Sequence, residues 1–510
     1  MAFKNSFIKN KLIMKKQLFI GISALLFIGL LSSCSKHYFD INNNPNSATN
    51  ASPELVLSNA LTATAAPQAT GYNFLSAWLG YLGQSGSYAT GAGDIASYKQ
   101  TNTFGDGIWQ NRYHNLADYD YVEKSATSQN KYFYVAAAKI MKALVFQQMV
   151  DMFNNVPYKE AFFGTANITP KYDDAQFIYN DITTQIDTAI ILLQRADAVG
   201  SATSDVLFGG QNTNWIKFAN TLKLRILIRQ SQVSSNLAFI QSEYAKITAN
   251  GGGFLTSEAA VNPGYANNAG QQNPVWGFYV TLTNLPTSGG AADFWKAAQY
   301  SISWMMSHND LRYKYIYSPG ANGVYMGSVL GAVSNPPGNN ASSIGPGILK
   351  SAGQSAVLIS AAESYFLQAE ANLRGLLGST SDALSNYNNG VKASFNFLGA
   401  PADSANKYIN QNDKMTNYAL TTNFNERLAT IIRQKWVAMN GVTPFEAWSD
   451  YRRLRLPADI PLSTSSYLDV APAAVPVRIL YPTSEYQTNA VNVNAQGTIN
   501  YHSSVVFWNK

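Results

Sequence analysis

Two glutamates have the type and spacing that acid–base chemistry would need. Glu363 and Glu370 stand seven residues apart on a predicted helix, which places both carboxylates on one face, about 10 Å apart along the axis. Inverting glycosidases hold their two carboxyl groups roughly 6.5–9.5 Å apart, slightly closer than this. Arg374 follows Glu370 by four residues, a spacing at which opposite charges stabilise a helix. The pattern favours a structural role, and a surface glycoside hydrolase using Glu363 and Glu370 stays open as the alternative hypothesis.

Other constellations that could support catalysis or metal binding are missing from the sequence. Glu446 and Asp450 would repel each other at this helical spacing, and Arg452 and Arg453 beside them indicate a compensated structural cluster. There is no Gly-x-Ser-x-Gly motif, and Gly91-Ala92-Gly93 lacks the flanking strand and helix of a dinucleotide fingerprint. No zinc-type spacing joins the four histidines, which are His37, His114, His308 and His502. The sequence therefore predicts no catalytic residues, no metal and no cofactor.

The single cysteine, Cys34, directly follows a segment with the features of a leader. Two lysines precede an apolar run from Leu18 to Leu31, which is shorter than the roughly 20 residues that a membrane-spanning helix needs. Leu31-Ser32-Ser33-Cys34 resembles the lipobox of bacterial lipoproteins, in which the cysteine becomes the lipid-bearing N-terminus. A free thiol in a leader cleaved elsewhere is the alternative. We predict a signal peptide over residues 1–33, lipidation of Cys34 and export of the protein.

The composition restricts the class of protein and its partners. Charged residues make up 13% of the 510 residues, about half the norm of roughly 25% for soluble proteins. The net charge of +6 falls to +1 without residues 1–33, which contain five lysines and no acidic residue. Hydrophobic residues make up 46% of the chain, enough for a large core. These values argue against a nucleic-acid partner and against a disordered chain.

Helical periodicity dominates the sequence from residue 53 onward. Residues 131–152 are densely apolar, and Pro157 prevents the helix from continuing. Residues 173–196 place a row of apolar residues on one helical face, namely Ile178, Ile182, Ile186, Ala189 and Leu193. The two segments predict an antiparallel helix pair, the unit of tetratricopeptide-like arrays. Further helices are predicted at 53–66, 71–84, 107–124, 213–230, 234–249, 293–307, 358–376, 380–396 and 423–439.

Two glycine-rich segments interrupt the helical pattern. Residues 250–292 and 317–357 each contain eight glycines and a single charged residue. Segments of this length without periodicity are usually binding loops or disordered, and the aromatic residues in both argue against disorder. We therefore predict a mostly α fold in one domain over 53–510, with both segments and the tail 457–510 covering the helices. A polar tether over 34–52 precedes this domain.

A series of short motifs runs in order through the chain after Cys34. The stretches are 42–46, 53–55, 214–225, 361–371, 387–391, 433–438, 446–453 and 477–482. Together they resemble the SusD/RagB-like nutrient-binding lipoproteins of the outer membrane. Asn309-Asp310-Leu311-Arg312 departs from the family pattern, since a proline is typical where Leu311 stands.

The resemblance implies a fold, a location and a partner. The fold would be α-helical with tetratricopeptide-like helix pairs, and the protein would be a lipid-anchored lipoprotein on the outer membrane facing the cell exterior. It would bind an oligosaccharide without catalysis and deliver it to a SusC-like TonB-dependent transporter. A peptide-binding member of the same family and a purely structural adaptor are alternatives. The ligand residues of the family vary in type, so the motifs transfer none of them.

Aromatic rings beside amide groups are the predicted ligand contacts, because sugars present apolar C–H faces ringed by hydroxyls. Three clusters offer such rings: Trp78, Tyr81 and Tyr88 near Gln84, then Trp276 and Tyr279 near Asn273 and Asn284, and finally Trp295, Tyr300 and Trp304. The candidates that we select are Trp276, Tyr279, Trp78, Tyr81 and Trp295. Packing in the core is the alternative for each, and the i, i+3 spacing of Trp78 and Tyr81 favours it.

Overall fold

The chain forms a helical body with short strands in its loops. The computed structural model describes residues 51–70, 72–88 and 93–509, with no side-chain description for 68–70. The helices of this part are α1 (Pro53–Thr70), α2 (Asn73–Trp78), α3 (Asp106–Ser128), α4 (Tyr132–Phe153), α5 (Ala175–Leu193), α6 (Asn212–Arg229), α7 (Leu237–Ala249), α8 (Pro274–Tyr279), α9 (Ala291–Phe294), α10 (Gln299–Ser307), α11 (Tyr313–Ile316), α12 (Ala361–Leu373), α13 (Asp382–Leu398), α14 (Ala402–Ile409), α15 (Phe424–Met439), α16 (Pro444–Leu454), α17 (Thr483–Thr488) and α18 (Ala490–Asn494). The strands are β1 (Leu82–Gln84), β2 (Val156–Pro157), β3 (Tyr172–Asp173), β4 (Ala259–Val261), β5 (Trp295–Ala297), β6 (Tyr317–Ser318), β7 (Ser343–Ile344) and β8 (Ala356–Ile359).

The long helices pack in consecutive pairs, as the mostly α prediction expected. Helix α4 packs against both α3 and α5, and α12 packs against α13. The apolar row predicted on α5 is buried along its whole length, from Ile178 to Leu193. Asp174 caps the start of α5, where its carboxylate accepts the backbone N–H of Phe177 at 2.8 Å. The prediction of a mostly α fold with paired helices is confirmed.

Two predicted helices, 71–84 and 293–307, are each interrupted by a strand. Helix α2 ends at Trp78, and Gly80 then takes a φ of +71°, which a side chain would disfavour. The chain continues as β1, which pairs antiparallel with β5 so that Leu82 lies opposite Ala297. This pairing joins residues more than 200 positions apart, so local periodicity carries no signal for it.

The two glycine-rich segments are loops that contain short strands and a short helix. Strand β4 in the first segment pairs antiparallel with β8 at the end of the second, with Val261 opposite Ala356. Strands β6 and β7 pair within the second segment. Helix α8 lies in the first segment and begins where the Asn273 side chain accepts the backbone N–H groups of Val275 and Trp276. The two segments are therefore held to each other by backbone hydrogen bonds.

A network of buried charges crosses the helical body, and we call it the buried ion network. Arg225 Nε donates to Glu363 Oε1 at 2.7 Å, and Arg229 pairs with Glu446. The same network extends to Asp450, which forms an ion pair with Lys435 at 2.8 Å. These residues come from α6, α12, α15 and α16, so the network joins four helices. The cluster is structural, as predicted, and Arg453 pairs with Asp450. Arg452 instead donates to backbone carbonyls, and Glu446 is paired with arginines of α6.

The tail after residue 457 packs on the same body. Trp508 is fully buried, and its Nε1 donates to Asp151 Oδ1 at 2.7 Å. Ile479 and Tyr481 are also buried. The tail thus completes the hydrogen bonding of a carboxylate in the middle of the body.

None of the described helices has both the length and the apolar character that crossing a bilayer requires.

Candidate ligand-binding site

Two cavities lie on either side of β5. Successive side chains of a strand point to opposite faces, and accordingly Trp295 lines one cavity and Lys296 the other. We call the first, of about 460 Å³, the aromatic cleft and the second, of about 680 Å³, the polar pocket. The ring of Phe294 connects them, since its centroid lies 4.8 Å from that of Trp295 and 5.2 Å from that of Tyr88.

The polar pocket is built from loops that close over the helices. Its lining residues are Ser87, Tyr88, Pro286, Ala292, Asp293, Lys296, Pro319, Gly320, Gly338, Asn339, Ala341 and Ser343. Ser87 Oγ accepts the backbone N–H of Gly338 at 2.9 Å, which ties two of these loops together. Tyr88 is half-buried and is the aromatic ring of the lining. The pocket therefore combines one ring with hydroxyl, amide and carboxylate groups.

The charges in the polar pocket are held by local hydrogen bonds. Asp293 Oδ2 accepts the backbone N–H of Gly289 at 2.6 Å, and Lys296 Nζ donates to the Ala292 carbonyl at 2.7 Å. Burial lowers the pKa of Lys296, while the charge of Asp293 opposes this shift. Both groups are thereby fixed in orientation at the wall of the pocket.

The aromatic cleft lies between the start of α3 and the β5 segment. Its lining residues are Pro67, Tyr72, Asn73, Phe74, Ile95, Phe104, Gly107, Ile108, Asn111, Arg112, Phe278 and Trp295. Phe104 stacks on Trp78 with ring centroids 6.1 Å apart and also contacts the edge of Phe74. Arg112 Nη2 donates to the hydroxyl of Tyr72 at 2.6 Å. Aromatic faces thus surround one buried guanidinium group.

Trp78 and Tyr81, two of the predicted ligand contacts, lie in the core. Both are 0% exposed, Trp78 Nε1 donates to the Ile95 carbonyl at 3.0 Å, and the Tyr81 hydroxyl donates to the Trp436 carbonyl at 2.6 Å. Burial raises the pKa of Tyr81, with the neighbouring Tyr317 adding to the shift. Neither ring offers a face to a ligand, which corrects the selection of these two residues and agrees with the packing alternative.

The loop pair Trp276 and Tyr279 divides between two environments. Tyr279 is buried and lines a separate small pocket beside Asn440, so its role in binding stays a prediction. Burial raises its pKa, and a hydrogen bond from Asn73 opposes the shift. Trp276 is half-buried on α8 and lines neither the cleft nor the pocket. Its role in binding stays a prediction.

Trp295 is buried, with 7% of its surface exposed, and its role in binding stays a prediction. It lines the aromatic cleft beside Phe278, a residue that sequence reasoning did not select. Trp304 and Tyr300 of the same predicted cluster instead contact Arg433, whose Nη1 donates to the Tyr300 hydroxyl at 2.8 Å. The three clusters therefore contribute Tyr88 and Trp295 to the two cavities.

Arg112 is a further cleft residue that sequence reasoning missed. It occupies the buried face of α3, between Trp109 and Leu116 at spacings of three and four residues. An arginine at an apolar position of this stripe is unusual, because isolated charges are costly to bury. That position in the stripe is the signal by which the sequence could have identified it.

The two glutamates of the hydrolase alternative do not border an open cleft. Glu363 and Glu370 are 0% and 1% exposed, and Arg453 donates to both carboxylate oxygens of Glu370 at 2.6 and 2.7 Å. Burial and the nearby charge of Glu446 raise the pKa of Glu363, although Arg225 opposes them. Burial would also raise the pKa of Glu370, but Arg453 and Arg374 outweigh it and hold the pKa below its usual range. Both carboxylates are thus buried and paired with arginines, the arrangement expected for a structural role.

Within residues 51–70, 72–88 and 93–509, no three His, Cys, Asp or Glu side chains are grouped so that they could hold a metal ion. Cys34, the predicted lipidation site, lies outside the described residues.

Comparisons with known proteins agree on the family. The model of a SusD-like family, described as starch-binding and associating with the outer membrane, matches residues 45–482. No curated protein sequence matches the chain. Among solved structures, a SusD homolog from Bacteroides uniformis is 23% identical with a TM-score of 0.74, covering 90% of this chain and 100% of its own.

Two further structures are of proteins described as chitin-binding. One is 25% identical with a TM-score of 0.73, covering 90% of this chain and 100% of its own. The other, a SusD homolog from Flavobacterium johnsoniae, is 23% identical with a TM-score of 0.71, covering 89% of this chain and 97% of its own. With a family model that matches most of its length and a fold shared with these structures, the chain belongs to the SusD-like family of nutrient-binding outer-membrane proteins.

Proposed function

We propose that the protein binds an oligosaccharide in the polar pocket and adjoining aromatic cleft, without catalysis, and delivers it to a SusC-like TonB-dependent transporter. The polar pocket is the observation that carries this proposal. Its volume of about 680 Å³ falls within the roughly 300–1,000 Å³ of small-ligand sites. The description of two structurally similar proteins as chitin-binding supports a carbohydrate ligand.

The lining of the polar pocket matches the surface of a sugar. The ring of Tyr88 offers a face on which the C–H groups of a pyranose can stack, and the edge contact with Phe294 fixes this ring in place. Ser343 and Asn339 supply hydroxyl and amide groups for the sugar hydroxyls. Specific binding of a neutral ligand would then depend on shape and hydrogen bonds more than on charge.

Calorimetry of a soluble form that begins at Ser35 tests the proposal. We expect binding to a member of a panel of neutral glycans, and Tyr88→Ala to weaken it by about threefold to tenfold, the effect of one aromatic stacking contact. Tyr467→Ala is the matched control, because Tyr467 is 68% exposed and lines neither cavity. Product analysis of the same mixtures should find the glycan intact.

Three results would contradict the proposal. Binding to peptides alone would favour the peptide-binding alternative. Release of shortened glycans would favour an enzyme. A structural adaptor would be favoured by a third result: deletion of the gene abolishes nutrient uptake, but the protein binds no glycan or peptide and Tyr88→Ala does not affect uptake.

We further propose that lipidated Cys34 anchors the protein to the outer membrane, facing the cell exterior. The lipobox-like sequence and the family description as outer-membrane associated support this location. Cys34→Ser should shift the protein from the membrane fraction to the soluble fraction and abolish metabolic labelling with palmitate. External protease should degrade the anchored wild type on intact cells. Membrane retention of the Cys34→Ser variant would refute the anchor, and copurification of the wild type with a TonB-dependent transporter would test the partner.

A further inference from the structure

Arg112 differs from the other buried arginines in its partners. Arg112 is 2% exposed, and its Nη2 donates a hydrogen bond to the hydroxyl of Tyr72. Its Nη1 is also buried and has no hydrogen-bond acceptor within residues 51–70, 72–88 and 93–509. No described carboxylate lies within salt-bridge distance of it. The guanidinium charge at the wall of the aromatic cleft is therefore uncompensated by any described side chain.

The other arginines that are buried to a similar degree pair with carboxylates or backbone carbonyls. Carboxylates bind Arg225, Arg229, Arg312, Arg433 and Arg453, and carbonyls bind Arg452 and Arg478. Residues 68–71 and 89–92 contain no Asp or Glu. Each of these guanidinium groups thus has a carboxylate or carbonyl acceptor among the described residues, whereas Arg112 has the hydroxyl of Tyr72.

A carboxylate is the acceptor that fits an unpaired guanidinium group best. The planar fork of arginine matches the two oxygens of a carboxylate, and the charge-assisted hydrogen bonds that result are stronger than neutral ones. A buried donor without an acceptor is unfavourable, so a ligand that supplies one also removes that penalty. A cleft lined by such a group would favour a ligand that carries a negative charge.

The remaining lining indicates what carries the carboxylate. Trp295 and Phe278 are aromatic residues of the lining, and Asn111 is exposed at the cleft. A uronic acid has its carboxylate on the edge of a pyranose whose faces can still stack and whose hydroxyls can bind amides. We propose that the aromatic cleft binds an acidic sugar residue, a uronate, with its carboxylate on Arg112. This inference rests on the proposed oligosaccharide-binding function.

A pair of matched ligands isolates the contribution of the charge. We would titrate the soluble protein with a galacturonate oligosaccharide and with its methyl ester, which has the same sugar rings but no carboxylates. Wild type should bind the acid at least tenfold more tightly than the ester, as expected for a charged hydrogen bond in a buried site. Raising the salt concentration should weaken binding of the acid and leave binding of the ester nearly unchanged.

Three variants assign that preference to the cleft. Arg112→Gln should remove the preference for the acid while retaining whatever affinity the ester has. Asn111→Asp places a negative charge at the cleft on an exposed position, so it should weaken binding of the acid without threatening folding. Gln110→Glu is the matched control, because this neighbour is exposed but does not line the cleft. Circular dichroism would show whether Arg112→Gln folds, and Asn111→Asp keeps the test decisive if it does not.

The outcomes separate this inference from the proposed function. If neutral glycans bind but acid and ester bind equally well, the uronate site is refuted and the glycan-binding function stands. If the acid is preferred but neither Arg112→Gln nor Asn111→Asp changes the preference, the assignment to the cleft is refuted. A tripeptide with a free C-terminus is compared with its C-terminal amide. If the free acid binds more tightly, Arg112→Gln removes this difference and no glycan binds, both the inference and the proposed function are overturned.

Discussion

Replacing Glu370 by glutamine tests whether the buried ion network holds the helices together. Glu370 accepts hydrogen bonds from Arg453 Nη1 and Nη2 at 2.6 and 2.7 Å and from Arg374 Nε at 2.8 Å. Glutamine keeps the shape of the side chain but loses the charge and one accepting oxygen. Arg453 would then stay buried with Asp450 and the Ser231 hydroxyl as its partners.

The magnitude follows from the burial of the pair. Removing one partner of a buried ion pair costs about 3–5 kcal/mol of unfolding free energy. The unfolding entropy near 60 °C is about 2.1 cal/mol/K per residue, which gives about 1 kcal/mol/K for the roughly 460 residues of the unit Pro53–Lys510. The Tm of Glu370→Gln should therefore fall by about 3–5 °C at pH 7.

Glu363→Gln is the informative comparison, since it is the same substitution on the same helix. Burial and Glu446 raise the pKa of Glu363, so its ionised form is unfavourable in the folded protein. Neutralising it removes this unfavourable contribution and the charge that pairs with Arg225. The glutamine oxygen can still accept from Arg225 Nε, and Arg225 keeps Glu446 as a partner at 3.4 Å. The Tm should fall by only about 1–2 °C.

Scanning calorimetry at pH 7 and one scan rate would measure both variants. Glu426→Gln is the control, because Glu426 lies at the surface and glutamine can still accept the backbone N–H of Thr422. Glycan binding by Glu370→Gln at 25 °C should match that of the wild type. A fall in Tm for Glu363→Gln as large as that for Glu370→Gln would refute the reasoning, and loss of glycan cleavage without loss of stability would support the hydrolase alternative.

Two further predictions concern packing and acid stability. Gly390→Ala should lower the unfolding free energy by about 1–3 kcal/mol, because a Cβ there would lie 2.9–3.0 Å from the Phe366 ring. Gly107→Ala, where a Cβ would have nothing within 4 Å, should raise the unfolding free energy by about 0.5–1 kcal/mol. Urea titration measures both variants, and a gain in stability from Gly390→Ala would contradict the packing argument. Neighbouring cations hold the pKa values of Glu370 and Asp450 below their usual range despite burial. These two carboxylates therefore stabilise the fold fully above the unfolded-state pKa of about 4. Their contribution is lost as pH falls through the lower pKa values of the folded state. Thermal scans from pH 7 to pH 2 should therefore show a falling Tm below about pH 4 in the wild type and a smaller fall in Glu370→Gln.

The regular helices were predictable because their apolar spacing is local. Ile178, Ile182 and Ile186 stand four residues apart, and all three are buried where α5 packs on α4. The segments 71–84 and 293–307 have helical composition too, but each contains one strand of the β1–β5 pair. Such pairing depends on contacts between distant residues, which periodicity within a single segment does not encode.

The site was less predictable than the fold because residue type alone does not determine burial. Trp78 and Trp295 are both tryptophans in helix-like sequence, yet one packs under Phe104 and the other lines the cleft. Arg112 faces that cleft only because α1, α2 and α3 meet there. A local pattern could mark it as an arginine on an apolar face but could not provide its surroundings.

The hydrogen bond between Trp508 and Asp151 spans 357 residues of sequence. Closing so long a loop is entropically costly, and contacts of high sequence separation form slowly during folding. Asp151 also accepts from the hydroxyl of Tyr179, a near neighbour in sequence, so its carboxylate has one early partner and one late one. We therefore expect the helical pairs to form before the indole of Trp508 is buried. The part of the fluorescence change that Trp508→Phe removes should fall in the last step of refolding.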